Sequence, residues 1–215
     1  MPPKTQIPKE MILKTGLDLV IREGYEVINI KRLAKEIGCS TQPISWSFGN
    51  MEAFREELFQ YALNYMNSKM RPNGKNPAAA LFSVGETYVN MAFDEPNLIR
   101  YLRTDSKGLV NLGGIGAVFN EEKNKSLREA LCRVVGISEE KAREFMNTVV
   151  IYTQGLVTFI IDGTITVSRE EAMRMLENVG VMHMVYAGIP FEKASVLFKE
   201  RWICQFFRVV LHCNI

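Results

Sequence analysis

The stretch from Ile30 to Phe48, IKRLAKEIGCSTQPISWSF, limits the possible folds of this chain more than any other. Its apolar residues recur with helical spacing on both sides of Gly38, which predicts two short helices joined by a tight turn. The first helix has a single apolar stripe at i, i+3, i+4 and i+7, made by Ile30, Leu33, Ala34 and Ile37. We expect Asn29 to cap this helix and Gly38 to end it.

The second helix of the pair is predicted to begin with a cap at Ser40 or Thr41. Pro43 is tolerated there, because the first turn of a helix has no intrahelical partner for an N–H. At about 100° per residue, Ile44 and Phe48 share one face and are predicted to be core. The remaining arc is free to face a partner, and it carries Thr41, Gln42, Ser45 and Trp46.

Polar and aromatic side chains of this kind suit the major groove of DNA. A glutamine amide can pair bidentately with adenine, and hydroxyl groups reach base edges or phosphates, while cations on the first helix neutralise phosphates. The predicted DNA-contacting residues are Lys31, Arg32, Ser40, Thr41, Gln42, Ser45, Trp46 and Ser47. Two amphipathic helices around a glycine turn also occur in all-helical proteins that bind no nucleic acid, so the flanking sequence has to decide.

Helices are predicted on both sides of this pair. The preceding one runs from about Lys9 to Glu23 and ends at Gly24, and its apolar face consists of Ile12, Leu13, Gly16, Leu17, Leu19 and Val20. The following one is long, takes Asn50 as its N-cap, and carries Phe54, Leu58, Tyr61, Ala62 and Tyr65. Three helices and a lead-out helix predict a compact unit.

With these helices included, the run ILKTGLDLVIREGYEVINIKRLAKEIGCSTQPISWSFGNMEAF resembles the N-terminal domain of TetR-type (tetracycline-repressor-like) transcriptional regulators. The resemblance covers about the first quarter of the chain and rests on the Glu23-Gly24-Tyr25 turn, Leu33 before Ala34, the Gly38-Cys39-Ser40 turn, Phe48 and Glu52. It implies a homodimer that binds a palindromic operator as a repressor and leaves it when a small molecule occupies the C-terminal domain.

Two positions depart from the family pattern. Ser45 stands where the family usually has an aromatic residue, and Met51 where it usually has lysine, and both positions ordinarily contact phosphates. Trp46 either supplies the missing aromatic or packs against the domain surface. The alternative function is therefore a ligand-binding or interaction protein of the same fold that has lost DNA affinity.

Length and charge agree with this organisation. The 215 residues suit an all-α protein with a helix-turn-helix DNA-binding domain at 1–50 and a larger helical effector-binding and dimerisation domain at 51–215. Residues 1–50 hold seven Lys/Arg and five Asp/Glu, an excess equal to the whole formal net charge of +2. Phosphate contacts must then come from a few placed groups.

Other classes of function find little support. The chain has two histidines without metal-ligand spacing, no glycine-rich phosphate loop and no nucleophile–base constellation, so we expect no enzyme, metal or cofactor. The cysteines, which form no Cys-x-x-Cys pair, are expected as reduced thiols in a cytoplasm, and they are Cys39, Cys132, Cys204 and Cys213. Polar residues interrupt the apolar stretch Val149 to Ile161, so no membrane span is expected.

The second domain is predicted to begin after a turn-rich junction at 71–77. Asn76 and Pro77 open a helix to about Phe93, and Asp94-Glu95-Pro96 stops it and begins another. The glycine-containing stretch from Thr104 to Gly116 is either a cover for a pocket or an ordinary surface connection.

Two later helices are the predicted dimer interface. They span about 139–162 and 169–187, and a capping box beginning at Ser168 opens the second. Because the first is apolar on more than one face, one face can serve the core while another meets the partner in a four-helix interface. TetR-type proteins dimerise through the corresponding pair. The segment 188–215 is predicted to add a helix that packs onto the core, closes the pocket or extends the dimer interface.

The predicted effector is an apolar or amphipathic small molecule. The candidate pocket residues are polar or adaptable side chains interleaved with apolar helices, and each has core or surface packing as its alternative role. They are Tyr88, Met91, Arg103, Phe119, Met146, Tyr152 and Phe159.

Overall fold

The structure, a computed structural model, describes residues 7–104 and 121–199, and these form an all-α fold without a strand. The helices are α1 (Lys9–Glu23), α2 (Ile30–Ile37), α3 (Gln42–Phe48), α4 (Met51–Lys69), α5 (Pro77–Asp94), α6 (Pro96–Thr104), α7 (Glu121–Leu131), α8 (Glu139–Ile161), α9 (Arg169–Tyr186) and α10 (Phe191–Lys199). A 3₁₀ turn, Tyr25–Val27, follows α1, and a π turn, Cys132–Gly136, follows α7. The predicted all-α class is confirmed.

Side-chain caps fix where several helices begin. The Asn29 carboxamide oxygen accepts from the Arg32 N–H at 2.9 Å, that of Asn50 from Ala53 at 2.9 Å, and that of Asn76 from Ala79 at 2.8 Å. The Ser168 hydroxyl accepts from the Glu171 N–H at 3.1 Å. Each bond satisfies an N–H that has no partner within the helix. These four predicted helix starts are confirmed.

The predicted cap of α3 does not form. Thr41 precedes α3 in the N-cap position, but its backbone is already helical (φ −70°, ψ −17°) and its side chain makes no capping hydrogen bond. An N-cap normally has extended backbone, which aims the hydroxyl at the N–H of the second or third helical residue. Here the second helical residue is Pro43, which has no N–H, so the cap has less to satisfy.

Packing divides the chain into two units. The first draws on Met1–Lys69 and Met91–Asn111, and the second on Met70–Asn90 and Leu112–Ile215. In packing terms, α4 and α6 therefore belong to the first unit. The functional boundary expected after residue 50 stays a prediction.

The core of the first unit forms around α1, which packs against α2, α3, α4 and α6. Gly16 lets α4 approach closely, because a Cβ at that position would lie 2.9 Å from Cζ of Phe54. On α6, the Asn97 amide donates to the Ile21 carbonyl oxygen at 3.2 Å, and Tyr101 stacks on Tyr25 with ring centroids 4.7 Å apart. These contacts hold α6 against α1 and the turn that follows it.

The core of the second unit forms around α8, which packs against α7 and α9, while α10 packs against α9. The buried residues of α8 are Ala142, Phe145, Met146, Val149, Thr153, Leu156, Val157 and Ile161.

Among the described residues, α8 is the one helix long and apolar enough to cross a membrane by length and composition. The core helix of a soluble protein passes the same test, and the expectation of no membrane span stays a prediction.

Candidate nucleic-acid interface

The helix α3 is anchored by two apolar side chains. Ile44 and Phe48 are 1% and 7% exposed, as their shared face predicts. Phe48 packs edge-to-face on Phe54 of α4 with ring centroids 5.0 Å apart. The Lys9 ammonium lies 4.8 Å from the Phe48 ring centroid and donates to Glu57 at 2.6 Å. The position of α3 is therefore fixed from one side.

The link between α2 and α3 is short and hydrogen-bonded. Gly38 ends α2 with φ +77°, in the left-handed region that favours glycine. Its N–H and that of Cys39 both donate to the Ala34 carbonyl oxygen, at 3.0 and 2.9 Å. The turn thereby gives the Ala34 carbonyl oxygen two donors and leads the chain into α3.

The outward arc of α3 carries the predicted base-reading side chains. Trp46 is 67% exposed, and Gln42 and Ser45 are exposed as well. Ser40 and Thr41, in the preceding turn, are exposed, whereas Ser47 is half-buried. At about 100° per residue, Trp46 projects opposite the buried pair, with Gln42 one turn before it. The arc presents amide, hydroxyl and indole groups and has no charge.

The Arg32 side chain belongs to a closed ring of four charged residues. Its guanidinium donates to Glu23 at 2.7 Å and to Glu36 at 2.5 Å, and that of Arg22 donates to Glu23 at 2.8 Å and to Glu36 at 2.7 Å. Hydrogen bonds from Arg22 and then Arg32 lower the pKa of both carboxyl groups below the ordinary glutamate value. A phosphate contact by Arg32 would have to use the guanidinium N–H groups that these carboxylates leave free, or replace the carboxylates.

Two lysines of α2 are better placed to meet phosphate. Lys31 and Lys35 are exposed, and neither ammonium has a hydrogen-bond or ion-pair partner among the described residues. They stand one helical turn apart, so they share a side of α2. Lys31 belongs to the predicted set, whereas Lys35 does not, although the i, i+4 spacing of the two lysines was readable from the sequence.

The predicted effector residues are divided between the two units. Met91 and Arg103 belong to the first unit, while Tyr88, Met146, Tyr152 and Phe159 belong to the second. Met91 and Met146 are 4% and 2% exposed, whereas Phe159 is 49% exposed. Phe119 lies outside the described residues, as does nearly all of the glycine-containing stretch. Their common role in binding an effector stays a prediction.

Exposed apolar side chains occur on α8 and α9, the helices predicted to form the dimer interface. We call them together the α8–α9 apolar surface, and they are Ile151, Phe159, Met182, Val185 and Tyr186, with exposures of 52, 49, 66, 41 and 74%. Gly155 stands midway between Ile151 and Phe159, and a Cβ added there would meet no atom within 4 Å. Within the part of the chain that the structure describes, this side of α8 is therefore uncovered.

No protein-family model matches the chain, and no curated protein matches it. The likeness to TetR-type regulators therefore rests on the residues of the first quarter of the sequence.

Proposed function

We propose that this chain is a ligand-responsive, DNA-binding transcriptional regulator of the TetR type, without catalytic activity, that acts in the cytoplasm. It binds a palindromic operator as a homodimer, most simply as a repressor, and a small molecule releases it. The proposal assigns α1–α3 to a helix-turn-helix domain and the later helices to effector binding and dimerisation. The outward arc of α3 is the observation that carries it.

The arc supports base reading because it combines firm anchoring with unpaired polar groups. Ile44 and Phe48 hold one side of α3 in the core, so Gln42 and Trp46 on the other side have a defined direction. Sequence-specific contacts in the major groove need side chains that are placed in advance, since each bidentate pair depends on both distance and angle. Exposure of a tryptophan on such a helix is explained if DNA covers it.

The α8–α9 apolar surface supports a homodimer. Five large apolar side chains on two neighbouring helices are exposed in the single chain, and a second copy would remove them from water. In a two-fold arrangement the same surface meets itself, so α8 and α9 of each copy would form a four-helix interface. Reading of a palindromic operator by such a dimer requires two α3 helices on successive major-groove faces, about 34–36 Å apart.

Release by a small molecule requires an effector that prefers one conformation of the dimer. Such a ligand lowers operator affinity only to the extent that it binds the released conformation more tightly. The apolar character of the second unit, with Met146 and Phe145 in its core, favours an apolar or amphipathic effector.

A ligand-binding or interaction protein without DNA affinity is the second candidate, and two observations favour it. The guanidinium of Arg32 is occupied by Glu23 and Glu36. Met51 is half-buried at the start of α4, where the family usually has a phosphate-binding lysine. On this reading, the α3 arc would meet a protein or stay in water.

DNA binding separates the two candidates. The assay is fluorescence anisotropy of labelled duplexes from the regions flanking the coding sequence, titrated with the full chain from about 50 to 200 mM salt, where phosphate contacts make the affinity steeply salt-dependent. We expect one fragment to bind the dimer, and the logarithm of its association constant should fall linearly with the logarithm of the salt concentration. A folded dimer that binds no fragment at the lowest salt would refute the regulator and favour the second candidate.

A further inference from the structure

We infer that Gln42 and Trp46 read adjacent A·T base pairs in each operator half-site, Gln42 through the edge of an adenine and Trp46 by covering the C5 methyl group of a thymine. The inference rests on the proposed DNA binding and adds to it the class of base that α3 reads. It also assigns Trp46 a contact with a single methyl group of the DNA.

Position on α3 brings the two side chains together. Gln42 and Trp46 are one turn apart and both point away from the buried Ile44 and Phe48. Side chains at i and i+4 have Cβ atoms about 5–6 Å apart. Successive base pairs are separated by about 3.4 Å along the helix axis. The two side chains therefore span one or two base-pair steps.

The charge of the reading segment argues against guanine and cytosine. Residues 38–49, which include the turn and all of α3, contain no Lys, Arg, Asp or Glu. The commonest specific contact to guanine is an arginine or lysine on O6 and N7, and cytosine is read through its amino group by a carboxylate. Without these groups, the arc lacks the strongest partners for a G·C pair.

The groups that are present match an A·T pair. A glutamine amide donates to N7 and accepts from the N6 amino group of adenine. The thymine C5 methyl is the apolar feature of the major groove, and apolar side chains recognise it by contact. Trp46, 67% exposed, is the large apolar side chain of this arc. Its indole ring can cover the methyl group, while its N–H remains free to donate to a neighbouring acceptor.

The test begins with selection of bound duplexes from a pool of random-sequence DNA by the full chain. We expect each half-site of the selected sequence to contain adjacent A·T pairs. The selected duplex is then remade with deoxyuridine in place of thymidine at those pairs, which keeps base pairing and removes only the methyl groups. We expect an affinity loss of about fourfold for each covered methyl, the value for removing one buried carbon.

Variants connect this loss to Trp46. Trp46→Ala should bind the thymidine and deoxyuridine duplexes equally, whereas Gln42→Ala should keep the preference for thymidine and lose discrimination at the adenine. Met11→Ala is the matched control, since Met11 is also an exposed apolar residue of the first unit, at 49%, but lies on α1. It should bind both duplexes as the unchanged protein does. Circular dichroism verifies that each variant is folded.

Two results would overturn the inference while leaving DNA binding intact. One is a selected half-site with G·C pairs at every specified position. The other is equal affinity of the unchanged protein for the thymidine and deoxyuridine duplexes. If the folded protein enriches no sequence from the pool at low salt, the proposed function itself fails.

Discussion

The outward faces of α3 and of the α8–α9 pair offer a partner different things. The α3 face is short, uncharged and rich in hydrogen-bonding groups around a single tryptophan, whereas the α8–α9 apolar surface consists of five large apolar side chains. Hydrogen-bonding groups give directional recognition, while apolar area gives affinity with little directional preference. The difference suggests one surface that selects a sequence and another that holds two copies together.

The largest effect is expected where the core anchors α3. Ile44→Ala removes a side chain that is 1% exposed, and we expect the free energy of unfolding to fall by about 2–5 kcal/mol. Ser45→Ala, the next residue but exposed, is the control and should change this quantity by less than about 0.5 kcal/mol. Urea denaturation measures both. Equal losses would show that the two faces of α3 are not distinguished as described.

The next largest effect concerns the apolar surface. Tyr186→Asp places a charge at its most exposed member, and we expect the dissociation constant of the dimer to rise by about 30-fold or more. Val134→Asp is the control, because Val134 is 51% exposed but lies on the π turn outside this surface. Light scattering across a dilution series measures the mass. A dimer unaffected by Tyr186→Asp would mean that another surface joins the copies.

A smaller effect should separate the lysines from the arginine on α2. Lys31→Ala should weaken binding to all DNA sequences and lower the slope of log affinity against log salt by about one. Lys125→Ala, an exposed lysine of α7, should leave both unchanged. Because the guanidinium of Arg32 already has carboxylate partners, Arg32→Ala should lower the salt slope less than Lys31→Ala does. A larger change for Arg32 would show that its guanidinium contacts phosphate despite its carboxylate partners.

The smallest expected effect is a pH dependence of the stability that the ring of Arg22, Glu23, Arg32 and Glu36 contributes. The pKa of Glu36 is lowered in the folded chain by hydrogen bonds from Arg22 and Arg32, so its stabilisation is present above the ordinary value of 4.5 and is lost as pH falls through the lower folded value. Glu36→Gln should therefore destabilise the chain at pH 7 and make progressively less difference in acid. Urea denaturation at several pH values measures the difference in free energy of unfolding between the unchanged chain and Glu36→Gln. A difference that grows as the pH falls would contradict a lowered pKa of Glu36.

Helix ends were predictable because they depend on neighbours in sequence. Asn29, Asn50 and Asn76 each cap the helix that follows, and Gly38 ends α2 in the left-handed conformation, all from bonds spanning a few residues. The missing cap at Thr41 also has a local cause, since an N-cap normally has extended backbone and that of Thr41 is helical.

Contacts between distant residues were not predictable in the same way. Glu23 lies nine residues from Arg32 and on another helix, so nothing in the local pattern shows that it occupies the guanidinium. The return of α6 to α1, through Asn97 and Ile21, joins residues 76 positions apart. The helix α7 was not predicted at all, although Leu127, Ala130 and Leu131 have helical spacing.

The ring of Arg22, Glu23, Arg32 and Glu36 also bears on how fast the protein would find DNA. Two positive and two negative charges in mutual contact nearly cancel at a distance, so the ring adds little to the attraction that speeds encounter. Association should then proceed at the ordinary rate of about 10⁵–10⁷ M⁻¹s⁻¹, which stopped-flow mixing measures. If the chain is the proposed regulator, tight operator binding would then come from slow dissociation.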